Sequence, residues 1–416
     1  MKRNIWIINQ YAIPPKFGGL NRHFYFSKYL KRKGYNVKIF TSSKIHNSNI
    51  NLIKKTEKIS YKEMFFDDVE YTFLKASDYE NNGFSRIKNM IGFAVKLPHF
   101  FLKKGIKVFK KPDVIYTSSP SLFIAVASIF LATKLRVPII TEVRDLWPES
   151  IVCYKNYSPR HPFIQILYAL EKWVYKRSNS LIFTMKGAKN YLKERKIKID
   201  SNKIYHINNG VDIEEFEEKK ITKKIKDKDL LEKNTFKIIY TGSIREVNNL
   251  DILLELAKKI KTVYKDIRFL IYGEGSEKSK LIKRCQDENI NNVLFKGHIS
   301  RDCIPFVLSN SDINIIIVKQ TSITRFGSSL NKFFDYMASE KPIVSNLKVN
   351  YDLLKHYSCG MTSDSSSPED LQKTIEKIRK SSEEEKEKMR QGAARGARDY
   401  DYKFLTNKLE KVIKSL

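Results

Sequence analysis

Short apolar runs of strand length alternate with helix-period segments along almost the whole chain, and they do so in two series. The first series comprises Ile5–Ile8, Val37–Thr41, Val114–Thr117, Ile139–Val143, Leu181–Thr184 and Ile204–Ile207. Leu20, Phe24, Ser27 and Leu30 recur at helical spacing up to Gly34, and further helical stretches lie near 120–134, 162–177 and 186–195. The second series follows a charged stretch, 214–234, which reads as a surface loop. Its strands are 236-FKIIYTG-242, 267-IRFLIYG-273, 293-VLFKG-297, 312-DINIIIV-318 and 342-PIVS-345. Parallel strands need long crossovers, and helices supply them. The alternation therefore predicts an α/β chain with parallel sheets covered by helices on both faces. Two series predict two doubly wound, Rossmann-like halves joined near Asn208–Asp212, and 416 residues can bury two such cores.

Charge narrows the choice of partner. The formal net charge is +31, and residues 1–200 carry 37 Lys and Arg against 14 Asp and Glu. No acid precedes Glu57. Such a field attracts nucleic acid, anionic lipid or phosphorylated substrates. The joint abundance of Lys, Ile and Asn offers a second explanation, compositional bias of the source. The cysteines at 153, 285, 303 and 359 form no C-x-x-C pair, which excludes the common zinc and redox motifs and fits a reducing cytosol. The start, MKRNIWIINQYAIPP, has too short an apolar run for a signal-peptide core and reads as a first strand. The run 122-LFIAVASIFLA-132 is too short to span a bilayer and predicts a buried helix.

The segment 324-TRFGSSLNKFFDYMASEKPIV-344 reads as loop, helix, turn and buried strand. Ser328 and Ser329 can cap a helix from about Leu330 to Ser339. Asn331, Lys332 and Asp335 then stand near its start, where helix amides and Lys332 can meet a diphosphate and Asp335 can accept from ribose hydroxyls. An amphipathic helix with solvated charges is the alternative. Gly18 and Gly19 follow the first strand and precede a helix, so their backbone can approach an anionic or hydroxylated ligand closely. Arg144 and Asp145 end a buried strand before a Trp-Pro turn; Asp145 can orient an acceptor hydroxyl or take its proton, or simply cap the turn. Glu149 is a weaker candidate of the same kind. Arg245 stands at a strand end, where a guanidinium can hold a diphosphate with parallel hydrogen bonds. Gly273-Glu274-Gly275 reads as a turn shaping the same pocket. The histidines lack metal-ligand spacing, and the D-x-D pair Asp227 and Asp229 lies in the charged stretch, so no metal is expected. Residues 86–111 mix Lys with Phe, Ile, Leu and Met, with Phe100, Phe101 and Ile106 as expected apolar contacts on an anionic membrane surface. A core helix pair with solvated lysines is the alternative there.

Six segments, in order, resemble the GT-B glycosyltransferases of family 4, most closely the fucosamine-transferase-like subgroup of bacterial surface polysaccharide synthesis. They are the Gly18-Gly19 unit running to KRKGYNVKIFTS, 142-EVRDLWPES-150, 206-HINNGVDIEEF-216, 240-YTGSIREVNNLDILLELA-257, 271-IYGEGSEKSKL-281 and NKFFDYMASEKPIV. The resemblance implies two Rossmann-like domains facing a cleft: an acceptor domain over 1–207, against which a helix at about 400–416 packs, and a nucleotide-sugar domain over 208–399. It implies a retaining transfer, without cofactor or metal, from a nucleotide sugar, expected to be a UDP-sugar, to a polyprenyl-diphosphate-linked saccharide in O-antigen, capsule or related synthesis. The enzyme would be cytoplasmic and peripheral on the inner face of the plasma membrane, with no nucleic acid partner. Asp145 and Arg144 would be catalytic. Gly18, Gly19, Arg245, Asn248, Gly273, Asn331, Lys332 and Asp335 would bind the nucleotide sugar. The chain departs from the family pattern at Gly327, where many members carry the first of two glutamates, and Asn248 and Asn249 stand near the position of a usual lysine. A GT-B sugar-nucleotide epimerase and a basic nucleic-acid-binding protein are the rival readings.

Overall fold

The computed structural model describes residues 3–18, 21–46, 48–79, 84–155 and 157–416. The chain divides into two compact units, Met1–Asn208 with Tyr402–Leu416, and Asn209–Asp401. In the first unit the strands are β1 Asn4–Ile8, β2 Asn36–Ser42, β3 Tyr61–Phe66, β4 Val69–Leu74, β5 Val114–Ser118, β6 Ile139–Val143, β7 Ser180–Phe183 and β8 Ile204–His206. They form an eight-stranded sheet in the order β3-β4-β2-β1-β5-β6-β7-β8. All neighbours run parallel except β3 with β4. In the second unit β9 Phe236–Thr241, β10 Ile267–Tyr272, β11 Val293–Gly297, β12 Ile313–Ile316, β13 Ile343–Ser345 and β14 Gly360–Thr362 form a parallel sheet in the order β11-β10-β9-β12-β13-β14. Both sheets therefore reverse strand order beside their first strand. Ligands of doubly wound folds bind outside the carboxyl ends of the strands at such a point.

The sequence pattern explains the layering. β1, β5, β6 and β7 are buried along their whole length, as strands covered on both faces must be. The run at 122–132 lies in the helix Leu122–Leu135, most of which is buried. Among the described residues no helix is long and apolar enough to cross a membrane. The helix Tyr402–Lys414 belongs to the first unit, where Tyr402 stacks on Tyr25 at 4.7 Å.

Three sequence expectations change. The β3–β4 hairpin, turning at Asp67 with φ of 46°, went unpredicted. The 214–234 loop contains two helices, Ile213–Thr222 and Lys228–Leu231, because Asp212 and Asp227 each cap an N-terminus by accepting backbone amides. Phe101 is not free to contact a membrane: it is fully buried, packing on Trp6 and Phe40 at 4.6 and 4.8 Å.

Candidate functional site

In the second unit the site is built at the ends of β9 and β10 and at the start of the helix Asn331–Ala338. Gly242 ends β9 with φ of +133°, and a Cβ there would lie 2.5 Å from Lys332 Cε. The absent side chain makes room for the lysine. Gly273 ends β10 at φ +158°, and its Cβ would lie 1.8 Å from the Gly242 carbonyl oxygen, so the two turns meet backbone to backbone. Lys332 donates to Tyr240 Oη at 2.7 Å, with its ammonium 3.9 Å from the ring centroid. Tyr240 Oη in turn donates to the Ser243 carbonyl at 2.8 Å. Burial pushes Lys332 down to about 7.

The helix start differs from the expected cap. Leu330 is the N-cap and supplies no side-chain acceptor. Ser329 Oγ instead accepts the Asn209 amide at 3.1 Å, while its carbonyl accepts Asn209 Nδ2 at 2.7 Å. Amides of the first turn are thus left without a side-chain cap, next to Lys332. Asp335 lies four residues after Asn331 and three after Lys332, hence on the same helix face. Its carboxyl is half-buried; burial raises its pKa against the opposing pull of Arg301. Tyr336 Oη accepts the Thr241 amide at 2.9 Å and ties this helix to the end of β9.

Arg245 is exposed at the start of a 3-10 turn, Glu246–Asn248. Asn248 is turned inward on its own loop, donating to the Ser243 carbonyl at 2.6 Å and Ser243 Oγ at 3.0 Å. Asp227 and Asp229 both pair with Lys296, and Asp227 also accepts from Tyr272 Oη at 2.7 Å.

In the first unit, Gly18 closes a 3-10 turn, Pro15–Phe17, with φ of +70° and open space where a Cβ would stand. Gly19 lies outside the described residues. The next helix, Arg22–Arg32, begins with two side chains that the sequence reading did not single out. Arg22 Nε donates to Glu142 Oε2 at 2.6 Å, and its other nitrogens donate to the carbonyls of Ile207, at 2.8 Å, and Asn208. His23 Nε2 meets Glu142 Oε1 at 3.2 Å, and Asn9 Nδ2 meets His23 Nδ1 at 3.2 Å. Ser118 and Tyr116 also donate to Glu142. Burial lowers the pKa of His23, which fits a neutral ring donating from Nε2 and accepting at Nδ1. Burial would raise Glu142, but Arg22 and the His23 hydrogen bond outweigh it and hold the carboxyl well below the usual range. Glu142 is the charged residue in the otherwise buried run ITEV; that anomaly was the signal for this network.

Two residues beyond Glu142, the backbone of Arg144 is pinned on both sides. Its amide donates to Ser119 Oγ at 2.8 Å, and its carbonyl accepts from Thr184 Oγ1 at 3.1 Å. Asp145 follows with an exposed side chain; crowding by protein raises its carboxyl, against the pull of Arg144 and Arg86. Glu149 accepts from Tyr168 Oη at 2.5 Å. The first unit thus presents a free carboxylate beside arginines, and the second a lysine and an uncapped helix start.

The description "Glycosyltransferase Family 4" matches residues 17–215, and "Glycosyl transferases group 1" matches residues 221–396. Over 83 residues, a fifth of either protein, the chain is 29% identical to WcaI of Escherichia coli (strain K12), named for a glycosyl transferase of colanic acid biosynthesis. Sucrose-phosphate synthase from Thermosynechococcus elongatus superposes with a TM-score of 0.71 at 13% identity, covering 100% of this chain and 99% of that one. Anabaena Alr3699/HepE in complex with UDP-glucose superposes with 0.68 at 14% identity, covering 100% of both. OtsA does so with 0.75 at 11% identity and the same coverage.

Proposed function

We propose that this GT-B glycosyltransferase, with its family 4 and group 1 domains, moves a sugar from a UDP-sugar held by the second unit to a polyprenyl-diphosphate-linked saccharide presented by the first. The observation that carries the donor assignment is Lys332, seated between Tyr240 and Gly242 at an uncapped helix start. A diphosphate arriving there meets an ammonium and backbone amides together. The arrangement is best suited to a group whose negative charge grows as it leaves. Arg245, exposed at the neighbouring turn, supplies a second cation, and Asp335 accepts from ribose hydroxyls. The complex of Anabaena HepE with UDP-glucose supports the choice of nucleotide.

In this reading the glycosidic bond to the diphosphate breaks through an oxocarbenium-like transition state, and the diphosphate charge passes to Lys332 and Arg245. Asp145 orients the acceptor hydroxyl, with Arg144 beside it. Configuration at the anomeric carbon is retained, no metal is required, and the placement is in surface polysaccharide synthesis with a fucosamine-transferase-like enzyme. The name of WcaI supports that setting. Exposed lysines at 103, 104, 107, 110 and 111, with exposed Leu102 and Val108, support attachment to an anionic membrane face.

A thermal-shift screen of nucleotides, followed by transfer assays on a lipid-linked saccharide with and without chelator, tests this reading. UDP should raise the melting temperature more than GDP or ADP. Transfer should persist in excess EDTA, and NMR of the product should show the donor's anomeric configuration. Activity that vanishes with EDTA and returns with Mg²⁺ or Mn²⁺ overturns metal independence. Interconversion of the nucleotide sugar without acceptor points to the epimerase.

A further inference from the structure

The first unit contains a groove remote in sequence from the residues assigned to donor and acceptor, and lined in part by Lys103 and Lys104 of the membrane segment. Its floor is apolar, formed by Leu74 at the end of β4 and by Phe93 and Leu97 on the helix Phe84–Phe100, with Ile59 at the mouth. Its volume of about 390 Å³ falls in the usual range for small-molecule sites. Lys58, Lys96, Lys103 and Lys104 surround it. All four are exposed, and none forms an ion pair with a described carboxylate. The lining contains a single acid, Glu57, whose carboxylate accepts the Lys54 amide at 2.7 Å. Lys75, also in the lining, is engaged by backbone carbonyls of Lys55 and Glu57. Ile91 and Val95, exposed at 43% and 69%, lie on the opposite face of the same helix and do not line the groove, whereas Ile59 at its mouth is 45% exposed.

An apolar trough with a ring of unpaired ammonium groups fits an amphiphile whose charge is negative. Apolar surface takes the chain, and lysine takes the phosphate as a point charge. Ile59, exposed at the mouth, can meet a bilayer interface while the groove receives one lipid. We infer that this groove binds a single anionic glycerophospholipid, with an acyl chain over Leu74, Phe93 and Leu97 and the headgroup phosphate among Lys58, Lys96, Lys103 and Lys104. The inference rests on the membrane reading above and adds to it a saturable site, which surface charge alone does not provide.

Dihexanoyl phosphatidylglycerol, kept below its micelle concentration, is titrated into the full chain and followed by NMR. In parallel, the chain is sedimented with phosphatidylglycerol vesicles. One saturable site is expected. Ile59→Trp fills the mouth from an exposed position, and Lys103→Ala with Lys104→Ala removes two of the cations; each change should weaken binding about tenfold or more. Melting curves like those of the unmodified protein certify the fold. Glycerol 3-phosphate and an acidic peptide should bind far more weakly than the lipid. The groove assignment is overturned by titrations that do not saturate, by variants that bind like the unmodified chain, or by glycerol 3-phosphate or the peptide binding as well as the lipid. Any of these, with vesicle sedimentation intact, leaves the membrane reading standing. Saturable lipid binding without sedimentation sinks the membrane reading and keeps the groove.

Discussion

The second unit and the 96–111 segment of the first handle positive charge differently. In the second unit many cations have a carboxylate within reach. Arg284 meets Asp251, Glu255 and Glu288; Lys219 meets Glu215 and Asp302; Lys296 meets Asp227 and Asp229. In the first unit Glu142 is fully buried against Arg22 and His23, Glu171 is buried near Arg195, and Lys33, Lys38 and Lys414 have carboxylate partners, while the lysine-rich segment 96–111 pairs with no described acid. Pairing at an exposed surface contributes little to stability, with a typical value of about 0–1 kcal/mol. The second unit's pairs therefore act chiefly by cancelling the field. Unpaired lysines at close spacing repel one another. Their presence at one face of the first unit is more naturally read as half of an interaction whose other half is an anionic surface.

The largest expected effect breaks that interaction. Replacing Lys103, Lys104, Lys107, Lys110 and Lys111 by Glu should release the protein from phosphatidylglycerol vesicles, since each lysine near such a surface contributes up to about 1 kcal/mol. Binding of the unmodified chain should fall with added salt as the Debye length shrinks. Full sedimentation of the reversed variant would remove the segment from consideration. Equal indifference to anionic and neutral vesicles in the unmodified chain would leave compositional bias as the explanation of the charge.

The next effect concerns the buried acid Glu142. Glu142→Gln leaves Arg22 buried without its counter-charge and should destabilise the first unit by about 3–5 kcal/mol in urea denaturation. The folded carboxyl is held below its ordinary value, so its contribution is present above about pH 4.5 and fades as pH falls. The gap between variant and parent should therefore narrow in acid. A gap under about 1 kcal/mol at neutral pH would mean that the network positions Arg144 and Asp145 without holding the unit together.

How far the sequence carried is visible in these same regions. Several buried parallel strands announce themselves as apolar runs, and β6 and β11 fall at their expected limits, whereas β4, VEYTFL, parallel to β2 and largely buried, was missed because Glu70 and Thr72 interrupt its apolar run. The β3 strand was invisible because an edge strand with one wet face, YKEMFF, mixes polar and apolar residues. The 214–234 helices were hidden by charge, since their caps are single aspartates and their apolar contribution is largely Phe216 and Leu230. At the candidate donor site, Lys332 and Asp335 were legible from spacing along one helix. Tyr240 and Gly242 were not, because what joins them to Lys332 is contact across about 90 residues of sequence, which no local pattern encodes.

A smaller effect sharpens the view of Lys332. Its free-state value of about 7 means that it is only partly protonated at neutral pH. A bound diphosphate favours the charged form and raises the value, so UDP binding should take up a proton between the two values. Affinity should be greatest below about pH 7 and decline toward about pH 9, by at most tenfold per pH unit. Calorimetry in buffers of different ionisation enthalpy reads the proton directly. Lys332→Ala should cost about 1.5–3 kcal/mol of UDP affinity and abolish the pH dependence. A variant that binds UDP as tightly as the parent assigns the lysine to holding the β9 turn.

The smallest effect belongs to the paired surface of the second unit. Glu384 and Lys388 stand one turn apart on the helix Glu383–Asp399, with Oε1 and Nζ at 2.7 Å. Their side chains are 78% and 68% exposed, so water competes for both charges. A double-mutant cycle through Glu384→Ala and Lys388→Ala should give a coupling of about 0.3–0.5 kcal/mol, shrinking further in high salt. The value matters because the contrast between the units depends on it. If pairs of this kind are weak, the second unit's many carboxylates serve to neutralise its surface, and the lack of any described acid paired with Lys96–Lys111 marks a face reserved for an external anion. A coupling above about 1.5 kcal/mol would instead make the pairs structural, and the unpaired lysines of the first unit would then reflect only a lack of stabilising partners.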